Sequence, residues 1–185
     1  MILAMVRHGQ TFFNEKGLVQ GRVDNPLNET GKEQARTLGK LLKQKGETFD
    51  MIASSPLSRS LETAYILSRE LQMNQPIFVD HAFVERDFYH LDGTPVETAM
   101  PFVRQENYTF ERYETDQMLV KRVTKGLDRF YHMHSDKKVL FVAHSHVIKA
   151  VRKRIDPEKY SFADLIKNGD ILYFEVKDGN IKVID

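Results

Sequence analysis

An α/β fold is predicted, a three-layer sandwich with a mainly parallel central sheet flanked by helices. Strand-like runs recur at Met1 to Val6, Asp50 to Ala53 and Val139 to Ala143, and stretches with apolar residues at helical spacing separate them. This βαβα order is the mark of parallel strands joined by crossover helices.

The elements follow in chain order. The first apolar run is a buried strand that hands over to a loop at Arg7-His8-Gly9. A helix from about Thr30 to Lys45 carries Ala35, Leu38 and Leu42 on one face, with Asn28 or Thr30 able to cap its start. Asp50 to Ala53 reads as the next strand, and a helix from Pro56 to about Leu71 follows, with Pro56 suited to its first turn. Leu57, Leu61, Ala64, Tyr65 and Leu71 form the predicted apolar side of that helix. Pro76 to Val79 reads as a short strand, Asp116 to His134 as a helix, Val139 to Ala143 as a strand and Val147 to Arg154 as a helix. Ile171 to Val176 and Ile181 to Ile184 form a predicted hairpin around Asp178-Gly179.

The composition bounds the function. A chain of 185 residues with 41% hydrophobic content suits one domain spanning 1–185, with no Pro/Gly/Ser-rich tract to divide it. A net charge of +1 makes no electrostatic case for nucleic acid or a membrane as partner. The six-residue apolar start is too short for a signal peptide or a spanning helix, and together with zero cysteines it points to a cytoplasmic protein. The basic run Lys149, Arg152, Lys153 and Arg154 is interleaved with Val147, Ile148 and Val151, which reads as a solvated helix face. A homodimer is allowed for.

Two strand ends each carry an imidazole, His8 and His144. In open α/β sheets the ligand crevice lies outside the carboxyl ends of the strands, so both face substrate. Arg7 and Arg59, the latter early in a helix, add guanidinium forks, and a helix N-terminus adds its dipole. Together they suit a doubly charged phosphoryl group. The pairs His144-Ser145-His146 and His132-Met133-His134 invite a metal reading, but the first shares its pocket with two arginines and the second lies in a helix, where residues two apart do not share a face. No metal and no cofactor is expected.

At these residues the chain resembles the histidine phosphatase superfamily, the phosphoglycerate mutase-like group. The resemblance runs through Arg7-His8-Gly9-Gln10-Thr11 with Asn14, Gln20-Gly21, Asp24 to Gly31, Ser54-Ser55-Pro56-Leu57 with Arg59, Glu85 and the His144 strand, in the family order. It implies that His8 is a nucleophile forming a phosphohistidine, with Arg7, Arg59 and His144 around the phosphoryl oxygens, His144 charged or at least donating. It implies substrate contacts from Asn14, Thr11, Gln20, Gly21 and Ser145. Read by itself, Glu85 is an exposed carboxylate paired with Arg86; the family register makes it the general acid that protonates the leaving oxygen.

Two departures stand out. Where the family commonly has Ser-His-Gly followed by another Gly, this chain has Ala143-His144-Ser145-His146, and Tyr89 replaces a frequent Gly. Ser145 is tolerated only if its side chain points away from phosphate, and His146 either crowds the site or adds a donor.

The expected function is a metal-independent phosphatase acting on small phosphorylated metabolites. The alternatives are a phosphoglycerate mutase primed by a bisphosphoglycerate and a catalytically weak phospho-ligand sensor. The resemblance implies a longer insertion and a C-terminal tail in mutases; here the stretch from Thr94 to Thr115 is modest and the chain stops just after its last strand-like segment. That stretch holds Phe102, Arg104, Tyr108, Phe110, Arg112 and Tyr113, which suit a substrate lid and equally suit packing onto the domain.

Overall fold

The computed structural model describes residues 1–105 and 108–184. Its centre is one six-stranded sheet. The strands are β1 (Ile2–Arg7), β2 (Met51–Ser54), β3 (Phe78–Val79), β4 (Lys138–Ala143), β5 (Ile171–Lys177) and β6 (Asn180–Ile184), in the order β3-β2-β4-β1-β5-β6. Three pairings are parallel and the two made by β5 are antiparallel, so the sheet is mixed with a parallel half that carries the strand-end histidines.

The helices are α1 (Phe12–Glu15), α2 (Glu29–Gln44), α3 (Ser58–Glu70), α4 (Val96–Val103), α5 (Asp116–His134) and α6 (Ser145–Ile155). Alternation along each strand divides the core between two faces. Ala4 and Val6 of β1 and Leu140 and Val142 of β4 pack against Leu38, Leu42, Ala64 and Leu67 of α2 and α3. Leu3, Met5, Val139 and Phe141 pack on the other side against Leu119, Val123, Leu127 and Phe130 of α5 and Val147, Ile148 and Val151 of α6.

Most predicted elements are present, with instructive differences. Asn28 is the N-cap of α2, its side chain accepting from the Gly31 N–H at 2.9 Å. The hairpin turns through Asp178 and Gly179, both at positive φ, as a two-residue turn matched to strand twist requires. Pro56 lies outside α3, which begins at Ser58; Asp24 supplies the cap from another loop, taking the Ser58 N–H and hydroxyl at 2.7 Å each. The apolar face predicted for α3 is corrected as well. Tyr65 is exposed, while Arg59, Ser60, Thr63 and Ser68 are buried beside Ala64 and Leu67, because this face turns Arg59 toward the strand ends.

Only a local pattern marks α1, and α4 lies within the stretch left unassigned from sequence. Of that stretch, residues 106 and 107 lie outside the described ones. Tyr113, Tyr108 and Phe110 join Phe88, Met100 and Val103 in a separate apolar cluster. The aromatics therefore pack the segment down. Phe102 stays exposed.

Candidate active site

Strand register brings the two imidazoles together. β1 and β4 are parallel neighbours with Arg7 opposite Ala143, and the His8 N–H donates to the Ala143 carbonyl at 3.0 Å. His8 and His144 follow directly and lie with ring centroids 5.1 Å apart. Glycine makes the turn after β1 close. A Cβ on Gly9 would run into the Gly31 backbone, and one on Gly31 into Gln10, so the loop lies flat on the start of α2.

The hydrogen bonds define the tautomer of His8. Nδ1 lies 2.7 Å from the Gly9 carbonyl, an acceptor, so Nδ1 carries the proton. Nε2 is left with its lone pair, 3.3 Å from the Arg59 Nε–H. Burial, reinforced by Arg59 and Arg7, lowers the His8 pKa well below the ordinary 6.5, so the ring is neutral.

Arg59 is fully buried and its fork is held by loop backbone: Nη1 donates to the Val23 carbonyl at 2.9 Å and Nη2 to the Gly21 carbonyl at 2.7 Å. Burial pulls its pKa down to about 10, still cationic at neutrality. Gly21 is itself clamped, its N–H bonded to Asp92, and a side chain there would strike the Arg86 carbonyl. The Gln20 amide spans Thr11 Oγ1 at 2.5 Å and Arg59 Nε at 2.7 Å, with its oxygen toward the guanidinium.

His144 is buried with a neutral ring, its pKa held well below the ordinary value by burial first and by Arg59, His8 and Arg7 next. The Ser55 hydroxyl accepts from the Leu57 N–H at 3.4 Å and stands 2.7 Å from His144 Nε2. Nε2 is thereby satisfied, and the other ring nitrogen is Nδ1. That nitrogen is buried without a partner, and so is Nε of Arg7, whose Nη1 holds the Ile166 carbonyl at 2.5 Å. A buried donor left unpaired costs about 1–3 kcal/mol, and the Arg7 Nε–H is such a donor on a cavity lined by cations, which points to an anionic ligand.

Asn14 lines the same cavity of about 190 Å³, with Arg7, His8, Gln20, Glu85, Ser145 and His146. Its Oδ1 takes the Thr11 N–H at 3.3 Å and the Asn168 Nδ2–H at 3.2 Å, which leaves Nδ2 as the donor for a ligand. Asn168 also bonds the His8 carbonyl at 2.9 Å. No sequence signal singles it out, because it sits 160 positions away in a loop of no regular pattern. Arg59, His144, Thr11 and Gly21 do not line the cavity: Arg59 and His144 lie buried directly behind His8, Thr11 caps α1 and Gly21 anchors Arg59.

Glu85 is 4% exposed, which corrects its reading as a surface carboxylate. Arg86 turns away to Tyr113 and Asp116, at 2.6 Å each. Glu85 instead accepts the Arg86 N–H at 2.8 Å and the His146 N–H at 3.3 Å. Burial raises its pKa above the ordinary carboxylate value against the opposing pull of these bonds, Arg59 and Arg7. Arg122 of α5 fastens this segment, gripping Glu114 through two nitrogens and donating to the Ala82 and Val84 carbonyls.

A family model described as the histidine phosphatase superfamily (branch 1) matches residues 3–184. The chain belongs to that superfamily. It is 36% identical over 162 residues to the uncharacterized phosphatase PhoE of Bacillus subtilis (strain 168), covering 86% of this chain and 81% of that one. It is 30% identical over 191 residues to the 2,3-bisphosphoglycerate-dependent phosphoglycerate mutase of Parvibaculum lavamentivorans, covering 96% and 91%. The fold matches that of phosphoglycerate mutase from Bacillus anthracis with a TM-score of 0.87 at 21% identity, over 100% of this chain and 91% of that chain.

The departures of this histidine phosphatase superfamily member have physical counterparts. Tyr89 sits at φ 52, the left-handed region that favours glycine, and its ring carries the Arg112 guanidinium 4.5 Å above it. His146 lies between Phe88 and Phe162, with centroids at 5.1 and 5.7 Å, and its Nδ1 is 3.9 Å from Glu85 Oε2. Ser145 begins α6, where His144 offers no side-chain cap and the His146 N–H is taken by Glu85.

Proposed function

We propose that this chain is a phosphatase that hydrolyses small phosphomonoesters through a phosphohistidine on His8. The observation that carries this reading is the tautomer: the Nδ1–H bond to Gly9 leaves His8 Nε2 unprotonated beside Arg59. Nε2 attacks phosphorus while the ester P–O bond breaks, and the leaving oxygen takes the proton of Glu85. The cationic Arg7 and Arg59, with His144 and the Asn14 amide, stabilise the charge on the phosphoryl oxygens. Water then attacks phosphorus, gives its proton to the Glu85 carboxylate, and the P–N bond breaks to release phosphate. The rim of the cavity includes exposed Leu165, Val96 and Arg104, which leaves water a path to the intermediate.

Rapid quenching with phosphorus-labelled ester in the presence of chelator tests this. Wild type yields an acid-labile phosphoenzyme, and His8→Ala loses both the label and at least about a thousandfold in rate. Label on a hydroxyl, stable to acid, overturns the assignment. Primer-dependent isomerisation of phosphoglycerates faster than phosphate release makes the protein a mutase.

A further inference from the structure

Lys149 is the buried cation of the cavity lining that the proposed hydrolysis does not use. The sequence pattern puts it on a solvated face, yet α6 buries everything from His146 to Val151 and Lys149 is 7% exposed. The reason is that α6 lies between the sheet and the loop carrying Phe162, and the lysine turns into the cavity that this loop walls. Its ammonium makes one hydrogen bond, to the Phe162 carbonyl at 2.9 Å, of the three it can donate.

Two acids share the cavity with Lys149 and neither pairs with it. Glu85 is engaged by two backbone N–H groups, and Asp164 by Arg152 at 3.2 Å and the Ser161 N–H at 3.2 Å. The other charged groups around the cavity are Arg7 and Arg104. Burial lowers the Lys149 pKa to about 8, so below that pH a cation is held with one of its three donors bonded to the protein, a state an apolar side chain would avoid.

Its position indicates what the charge is for. Ser145 and Lys149 are four residues apart on α6, which places their Cβ atoms about 5–6 Å apart on one face. Ser145 marks the phosphoryl end of the cavity and Lys149 a point one helical turn away. Val96, Met100 and Arg104 recur at the same spacing along α4 and its C-cap, and Arg104 adds a second cation.

We infer that Lys149, aided by Arg104, binds a second acidic group of the substrate, a carboxylate or a second phosphate a few bonds from the phosphoester. The inference rests on the phosphomonoesterase reading for its substrate and on Lys149 for its specificity.

The test compares kcat/KM for matched esters: 3-phosphoglycerate against glycerol 3-phosphate, and propane-1,3-diol bisphosphate against its monophosphate. Wild type prefers the diacidic member of at least one pair, and which pair responds distinguishes carboxylate from phosphate. Lys149→Met lowers that preference by about 10- to 100-fold through KM, and Lys149→Arg restores most of it. Equal losses on both members, or no preference in wild type, overturn the inference and leave Lys149 as a tether for the Phe162 loop. Equilibrium binding of the same ligands to His8→Ala protein with and without Lys149→Met separates the two readings. A Lys149-dependent preference in binding without any hydrolysis retains this site and rejects the phosphatase; hydrolysis without the preference does the reverse.

Discussion

Arg59 Nε stands 3.3 Å from His8 Nε2, while the other two nitrogens of the guanidinium are spent on the Val23 and Gly21 carbonyls. One side chain therefore shapes the loop and faces the candidate nucleophile. Arg59→Lys keeps the charge but cannot hold two carbonyls and the imidazole at once, so activity falls by about ten- to a thousandfold. Inhibition by vanadate weakens in parallel. Unchanged kinetics in a folded variant show that the arginine serves the loop alone.

Three buried imidazoles make the fold sensitive to acid. His8, His144 and His146 all have pKa values well below 6.5, burial being the largest cause for each. Above pH 6.5 these rings are neutral folded or unfolded, and the stability is intact. As pH falls below 6.5 the unfolded chain takes up protons that the folded one does not, so stability is lost, at up to about 1.4 kcal/mol per pH unit for each proton. Glu85 works the other way: its raised pKa lets the folded state keep a proton to higher pH, and its burial weighs less as pH falls. Melting temperatures measured from pH 8 to 5 stay level to about 6.5 and then drop, and His146→Leu softens the drop. A level curve down to pH 5 contradicts this.

Arg122 sets the position of Glu85, the proposed general acid. The Arg122 bonds to Ala82, Val84 and Glu114 hold the strip that leads into Glu85, and none of them touches the cavity. Glu85→Gln abolishes the alkaline fall of kcat/KM that deprotonation of this acid produces, at a rate reduced most for alkyl esters and least for activated aryl phosphates. Arg122→Lys reproduces the leaving-group pattern more weakly and keeps the pH limb. Equal losses on alkyl and aryl esters in both variants show that Glu85 is not the acid.

Local pattern was enough for the six strands, for α2, α3, α5 and α6, for His8 and His144 at strand ends and for the hairpin at Asp178-Gly179, because periodicity and turn chemistry are local. The sequence also contained the family motif, which marks residues by type and order. What it could not decide is which way a side chain faces once helices are packed. Tyr65 is exposed where periodicity predicts burial, the buried side of α3 being the one that carries Arg59; Glu85 parts from Arg86, and Lys149 leaves the solvated face for the cavity. Each reversal arises from contacts made across the chain: Arg59 reaches Gly21 and Val23, Glu85 reaches the His146 N–H, and Lys149 reaches Phe162. Asn168 meets His8 from 160 residues away for the same reason. Burial and hydrogen-bond partners are properties of the assembled sheet and its loops, and they set the pKa values and orphaned donors from which the chemistry is read.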